Sequence, residues 1–118
     1  MTLPDVTRHS DNARESIRAI NHITLGRTLP APFIYEVLGN LRGMVDALPQ
    51  AFNQLSLTLA KSLDEFEVFE DDGGDPSART KEATDHLVLA AHLADQLGNE
   101  LAAAQTAIAR QGYRNRAN

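Results

Sequence analysis

The sequence predicts an all-helical fold: an antiparallel hairpin of two long helices preceded by a short N-terminal helix. Three observations carry that expectation. Apolar residues recur at alternating spacings of four and three along two long stretches, Gly and Pro separate those stretches, and aromatic residues make up only 5% of the chain while Ala and Leu are abundant. Such a composition favours helix over sheet, and no strand produces a four–three period.

The N-terminal helix is expected over about residues 11–25. Ser10, Asp11 or Asn12 can cap it, Glu15 follows Asn12 by three, and Gly26 stands where a helix C-terminus needs one. Ile17, Ile20 and Thr24, flanked by Ala13 and Ile23, give it a narrow apolar stripe. A helix of this kind is marginal alone, so it is expected to dock. Residues 27–32 are extended, because Pro30 and Pro32 disfavour helix in the residues before them.

The second helix is expected over about 32–70. Its stripe runs Ile34, Leu38, Leu41, Val45, Leu48, Phe52, Leu55, Leu59, Ser62, Phe66 and Phe69. Pro49 lies inside it and must kink or break the helix; the stripe keeps its phase across Pro49, which favours a kink over a break. The turn Asp71-Asp72-Gly73-Gly74-Asp75-Pro76 combines helix-ending glycines with an N-cap and an N1 proline. The third helix then covers about 76–111, with Ala83, Leu87, Ala90, Ala94, Leu97, Leu101, Ala104 and Ile108 on its stripe and Gly112 closing it.

A short turn forces the two long helices antiparallel, so facing residues have nearly constant index sums. Sums of 145–146 set Phe52 against Ala94, Leu55 against Ala90, Leu41 against Ala104, Leu59 against Leu87 and Val45 against Leu101. Large meets small at about half the layers, as interdigitating helices require, and Pro49 falls beside Gly98. The chain is then a single helical domain over 1–118, with flexible tails at 1–9 and 113–118.

Helices of 35 residues at a rise of about 1.5 Å are about 50 Å long, whereas a compact chain of this size has a radius of gyration of only about 13–14 Å. Apolar residues are left off the stripes: Phe33, Val37, Met44, Leu57 and Leu63 on one helix, Val88, Leu89 and Leu93 on the other. The N-terminal helix can cover some near the open end, and the remainder points to a homodimer with a four-helix core. A sharp bend at Pro49, folding the rod into a compact monomer, is the alternative.

The formal net charge of −5 is unevenly spread. Residues 64–75 hold seven acids and no base, while Arg8, Arg14, Arg18 and Arg27 lie early and Arg110, Arg114 and Arg116 late. The hairpin therefore has an acidic tip and a basic open end, and Glu67, Glu70, Asp71, Asp72, Arg110, Arg114 and Arg116 are the candidate interaction surface. Catalytic, cofactor and metal sites are not expected. No Glu-x-x-His pair occurs, His92 with Asp95 and Glu82 with His86 read as solvated pairs, and the acidic turn lacks the alternating ligands of a calcium loop. Phosphate loops, nucleophile elbows and zinc spacings are missing as well.

No cysteine, no secretory h-region and no apolar run of about 20 residues occur, so the expectation is a cytoplasmic protein without membrane contact. The negative net charge, the lack of interleaved aromatics and of a helix-turn-helix signature argue against nucleic acid. Function is expected to reside in a surface: a non-enzymatic, self-associating scaffold with an unidentified protein partner. The alternative is a nucleic-acid or mobile-element accessory protein using the basic end.

Two long helices meeting at the glycine-containing turn Asp71-Asp72-Gly73-Gly74-Asp75 resemble the small secreted helical hairpins whose turn carries Trp-x-Gly. The resemblance covers topology only. The chain has no Trp, and no acid lies four residues after Tyr113, so no functional residue carries over. The Ala- and Arg-rich style is similar to small proteins of high-GC bacteria, which implies no activity.

Overall fold

The computed structural model describes residues 3–116. They form α1 (Leu3–Leu25), α2 (Ala31–Glu65) and α3 (Pro76–Ala107), with no strand among the described residues. The expected tails at 1–9 and 113–118 fall partly outside this range, at residues 1, 2, 117 and 118. α2 and α3 form the antiparallel hairpin, and the molecule extends 69 × 28 × 25 Å with a radius of gyration of 19.8 Å. A sharply bent compact monomer is thereby excluded.

α1 begins eight residues earlier than its capping signals suggest. Pro4 and Asp5 both suit a first turn, the one by its fixed φ and the other by its charge at the positive end of the helix dipole. Ser10 does not cap; its hydroxyl donates back to the Thr7 carbonyl at 2.9 Å. Arg8 pairs with Asp5 at 2.9 Å and Arg14 with Asp11 at 2.8 Å, each one turn apart. The expected docking does not occur: α1 packs on neither α2 nor α3. The extended residues 27–30, ending in Pro30, lead it away from the hairpin.

α2 runs unbroken through Pro49 and stops at Glu65 instead of residue 70. Phe66 is its extended C-cap, its N–H donating to the Ser62 carbonyl at 3.0 Å. The stop leaves Asp64 and Glu65 in the last turn, at the negative end of the helix dipole, with no base in that turn. Phe66 and Phe69, expected on the stripe, are 68% and 76% exposed. α3 also ends early, at Ala107, where the chain tightens with Ala109 N–H donating to Thr106 and Gln111 N–H to Ile108. Gly112 therefore lies beyond the helix and does not cap it.

The connection spans 66–75, twice the expected length, and moves the register. Gly98 lies against Val45 and Asp46, and Gly39 against Gln105, index sums of 143–144 instead of 145–146. Gly98 thus makes room for Asp46, one turn before Pro49, not for Pro49 itself. A Cβ at Gly98 would sit 2.7 Å from Asp46 Oδ1 and 3.8 Å from Val45 Cγ1. Gln105 fills the notch at Gly39 and donates from Nε2 to the Tyr35 carbonyl at 3.2 Å, a tie across the hairpin. A Cβ at Gly43 would meet nothing within 4 Å.

The seam also rotates along both helices. In the first half of α2 the stripe positions Leu38, Leu41, Val45, Leu48 and Phe52 are buried or half-buried, as expected; beyond Phe52, Leu59 and Ser62 stay half-buried as expected, and Ser56 and Leu63 join them. On α3 they begin with Ala83, Leu87, Ala90 and Ala94 and continue through Gly98, Leu101 and Gln105. Leu55 and Leu97, expected in the seam, are 50% and 48% exposed, and Ala104 is exposed. An undistorted α-helix drifts about 20° per heptad against a strict 3.5-residue repeat, so about 100°, one residue position, accumulates over five heptads.

The seam stays thin. Val45 and Ala94 are the buried apolar side chains, and no side chain is wholly buried among the described residues. Ser56 Oγ is buried there without a hydrogen-bond partner, at a cost that removal of the hydroxyl relieves. Ser56→Ala is expected to raise stability by about 1–2 kcal/mol in urea unfolding. Gly98→Ala should stay within about 1 kcal/mol of the parent, since helix propensity offsets the displacement of the Asp46 carboxylate, while Gly98→Leu should cost about 1–3 kcal/mol by overpacking.

Candidate functional site

The acidic tip is built by its own side chains. Gly73 takes a φ of +78°, and its N–H donates to the Glu70 carbonyl at 3.0 Å. Asp72 Oδ1 accepts from the Gly74 N–H at 2.9 Å, and Oδ2 lies 3.8 Å from Arg79. Asp75 caps α3, accepting from the Ser77 N–H at 3.0 Å, with Pro76 following as expected. Of the four candidate tip acids, Asp72 is therefore engaged in shaping the turn. Glu67 and Asp71 project into solvent, and Glu70 is half-buried. On the neighbouring turn of α3, Lys81 Nζ donates to Asp85 Oδ2 at 2.8 Å; that hydrogen bond and the Asp85 charge hold the ammonium above its ordinary 10.5.

The open end carries Arg27, Arg110, Arg114 and Arg116, all exposed. Tyr113 lies with its ring centroid 6.4 Å from that of Phe33, inclined at 50°, so the tail is held beside the start of α2. The α1 arginines do not join this group as the sequence suggested. Arg8, Arg14 and Arg18 each lie within 4 Å of Asp5, Asp11 or Glu15 on the same helix, because α1 is undocked.

Between the poles lies a feature only partly read from the sequence. Each residue along a helix turns by about 100°. Met44, Leu55, Leu93 and Leu97 each stand one residue before a seam position: Val45, Ser56, Ala94 and Gly98. Two antiparallel helices in contact present the same rotational side of their seams on the same face of the pair, so these four lie on one face of the hairpin. Their exposures are 39%, 50%, 63% and 48%. Leu89, one turn before Leu93 and 57% exposed, widens the strip towards the tip. The opposite face, one residue after the seam positions, bears Asp46, Asn53, Asp95 and Asn99 together with Pro49, Leu57, Val88 and Ala91, and beyond its ends the strip's own face turns polar at Thr58, His86 and Glu100. Leu55 and Leu97 were hidden from sequence reasoning by the rotating seam, and the helical drift is the signal that exposes them.

Two surface clefts are lined by Gly112, Tyr113 and Arg114 and by Thr7, Ser10, Asp11 and Arg14. In the second, Ser10 Oγ donates to the Thr7 carbonyl and Asp11 pairs with Arg14. No group of three or more His, Asp or Glu close enough to hold a metal ion occurs among the described residues. No helix among them is long and apolar enough to cross a membrane. No family model, no curated protein and no solved structure matches the chain.

The tip's stability can be checked at its cap. Asp75→Ala is expected to cost about 1 kcal/mol in thermal or urea unfolding, and Asp75→Asn, which keeps the acceptor, only a few tenths.

Proposed function

We propose that this protein is a non-enzymatic helical interaction module that acts as a self-associated scaffold. One observation carries the reading: the single chain leaves more surface in water than a compact fold of its size, large apolar side chains included. Its accessible surface is 9733 Å², whereas a compact monomer of 12.9 kDa exposes about 6,300 Å². The excess of about 3,400 Å² is larger than the roughly 1,000–2,500 Å² that an obligate interface removes from each chain, and the undocked α1 supplies part of it. The exposed strip of Leu55, Leu89, Leu93 and Leu97 gains from such burial about 25 cal/mol per Å².

On this reading the apolar strip builds the assembly. Sedimentation equilibrium from 1 to 100 µM should show a species of twice the chain mass. The unfolding midpoint should rise with protein concentration, as it does when folding is linked to association. A monomer at every concentration, with a midpoint independent of concentration, would refute the proposal.

A further inference from the structure

Resting on that reading, we infer that the partner on the apolar strip is a second copy of this chain laid antiparallel across it, so that each acidic tip meets the other copy's basic open end. The occupant follows from area and the direction from charge.

The strip runs along the rod, with Leu93 and Leu97 near its middle and Leu55 and Leu89 towards the tip. A partner that covers it must be long and apolar over the same span. A second hairpin presents a strip of matching length about a two-fold axis near Leu97. α1 does not serve: it packs on neither hairpin helix, and its apolar positions Val6 and Ile23 are themselves half exposed.

Direction is decided by the poles. Residues 64–75 carry seven acids and no base, while residues 101–118 carry three arginines and no acidic side chain. Helices of 32 and 35 residues hold these poles about 50 Å apart, several times the Debye length of about 10 Å at 0.1 M salt. They therefore do not neutralise one another within one chain. A parallel pair would set two clusters of seven carboxylates side by side, and like-charge juxtaposition disfavours that arrangement. An antiparallel pair sets Glu67, Glu70 and Asp71 of each copy over Arg110, Arg114 and Arg116 of the other. Two-fold symmetry makes the contact twice.

The chain has no cysteine, so a single introduced one reports cleanly. Ala78 is exposed on the first turn of α3. With a spin label on Ala78→Cys, the full-length dimer should give an inter-label distance of about 50 Å for the antiparallel pair and under about 25 Å for a parallel one, from the rise of about 1.5 Å per residue. A dimer with the short distance overturns the antiparallel inference and leaves self-association standing; a monomer, or α1 folded over the strip, overturns both. Charge reversal gives an independent sign. Glu67→Lys with Glu70→Lys should weaken the antiparallel dimer about tenfold at 50 mM salt, and Arg110→Glu with Arg114→Glu, added to it, should restore affinity. In a parallel dimer the lysine substitutions alone would strengthen association, and that result overturns the inference. Leu93→Asp should abolish the dimer while the hairpin keeps its helical circular dichroism, because Leu93 lies outside the seam.

Discussion

Two helices in contact share one seam, and every other property of this chain is shaped by how little that seam can hold. A close approach joins Val45 and Asp46 to Gly98, with Ala94 one turn away. Small residues let the backbones come together, but they withdraw little apolar area from water. The larger side chains are displaced to the flanks, which is why Leu93 and Leu97 are 63% and 48% exposed while Ala94 is 5% exposed. The hairpin thus gains shape from its seam and leaves much of its hydrophobic driving force unspent on one face. A domain of this size rarely reaches ordinary stability on so thin a core.

The period of the helices is written in the sequence, but the phase of the seam is only half written. Leu38, Leu41, Val45, Ala90 and Ala94 fall where the four–three spacing places them. Leu55, Leu97 and Ala104 do not, because the spacing describes a supercoil whereas these helices keep an unbent repeat and turn away from it by about 20° per heptad. The shift shows at single positions, with Ser56 in place of Leu55 and Gly98 and Gln105 in place of Leu97 and Ala104, while Leu59 and Leu101 stay on the expected stripe. Pro49 was legible as a perturbation, and the persistence of the pattern across it correctly favoured one helix over two.

Helix ends were less legible than helix interiors, since several rules compete there. At the tip the apolar pattern argues for continuing to Phe69, yet the chain leaves the helix at Phe66, with Asp64 and Glu65 in the last turn. That choice lengthens the connection to residues 66–75 and shifts the facing pairs by about two in index sum. At the other extreme, Ser10, Asp11 and Asn12 are ordinary cap residues, yet Pro4 and Asp5 open a helix before them and leave them inside it. The candidate acids and arginines were correctly assigned to opposite ends of the rod. What the sequence could not show is that Asp72 is tied into the turn and that the α1 arginines are paired locally.

α1 extends the same logic to a helix with no seam of its own. Val6, Ser10, Ala13, Ile17, Ile20 and Thr24 are spaced at alternating fours and threes over six turns, yet the stripe is too small and polar for two-helix burial. Its order rests on short-range pairs such as Arg8 with Asp5 and Thr24 with the Ile20 carbonyl, and contacts of that kind contribute only tenths of a kcal/mol each. Twenty-three residues are enough for a helix to persist once nucleated, but not for it to be rigid. Because α1 leaves the hairpin through Pro30 rather than folding onto it, the apolar face remains uncovered from within the chain. The hairpin and its arm are therefore incomplete for the same reason, and neither supplies what the other lacks.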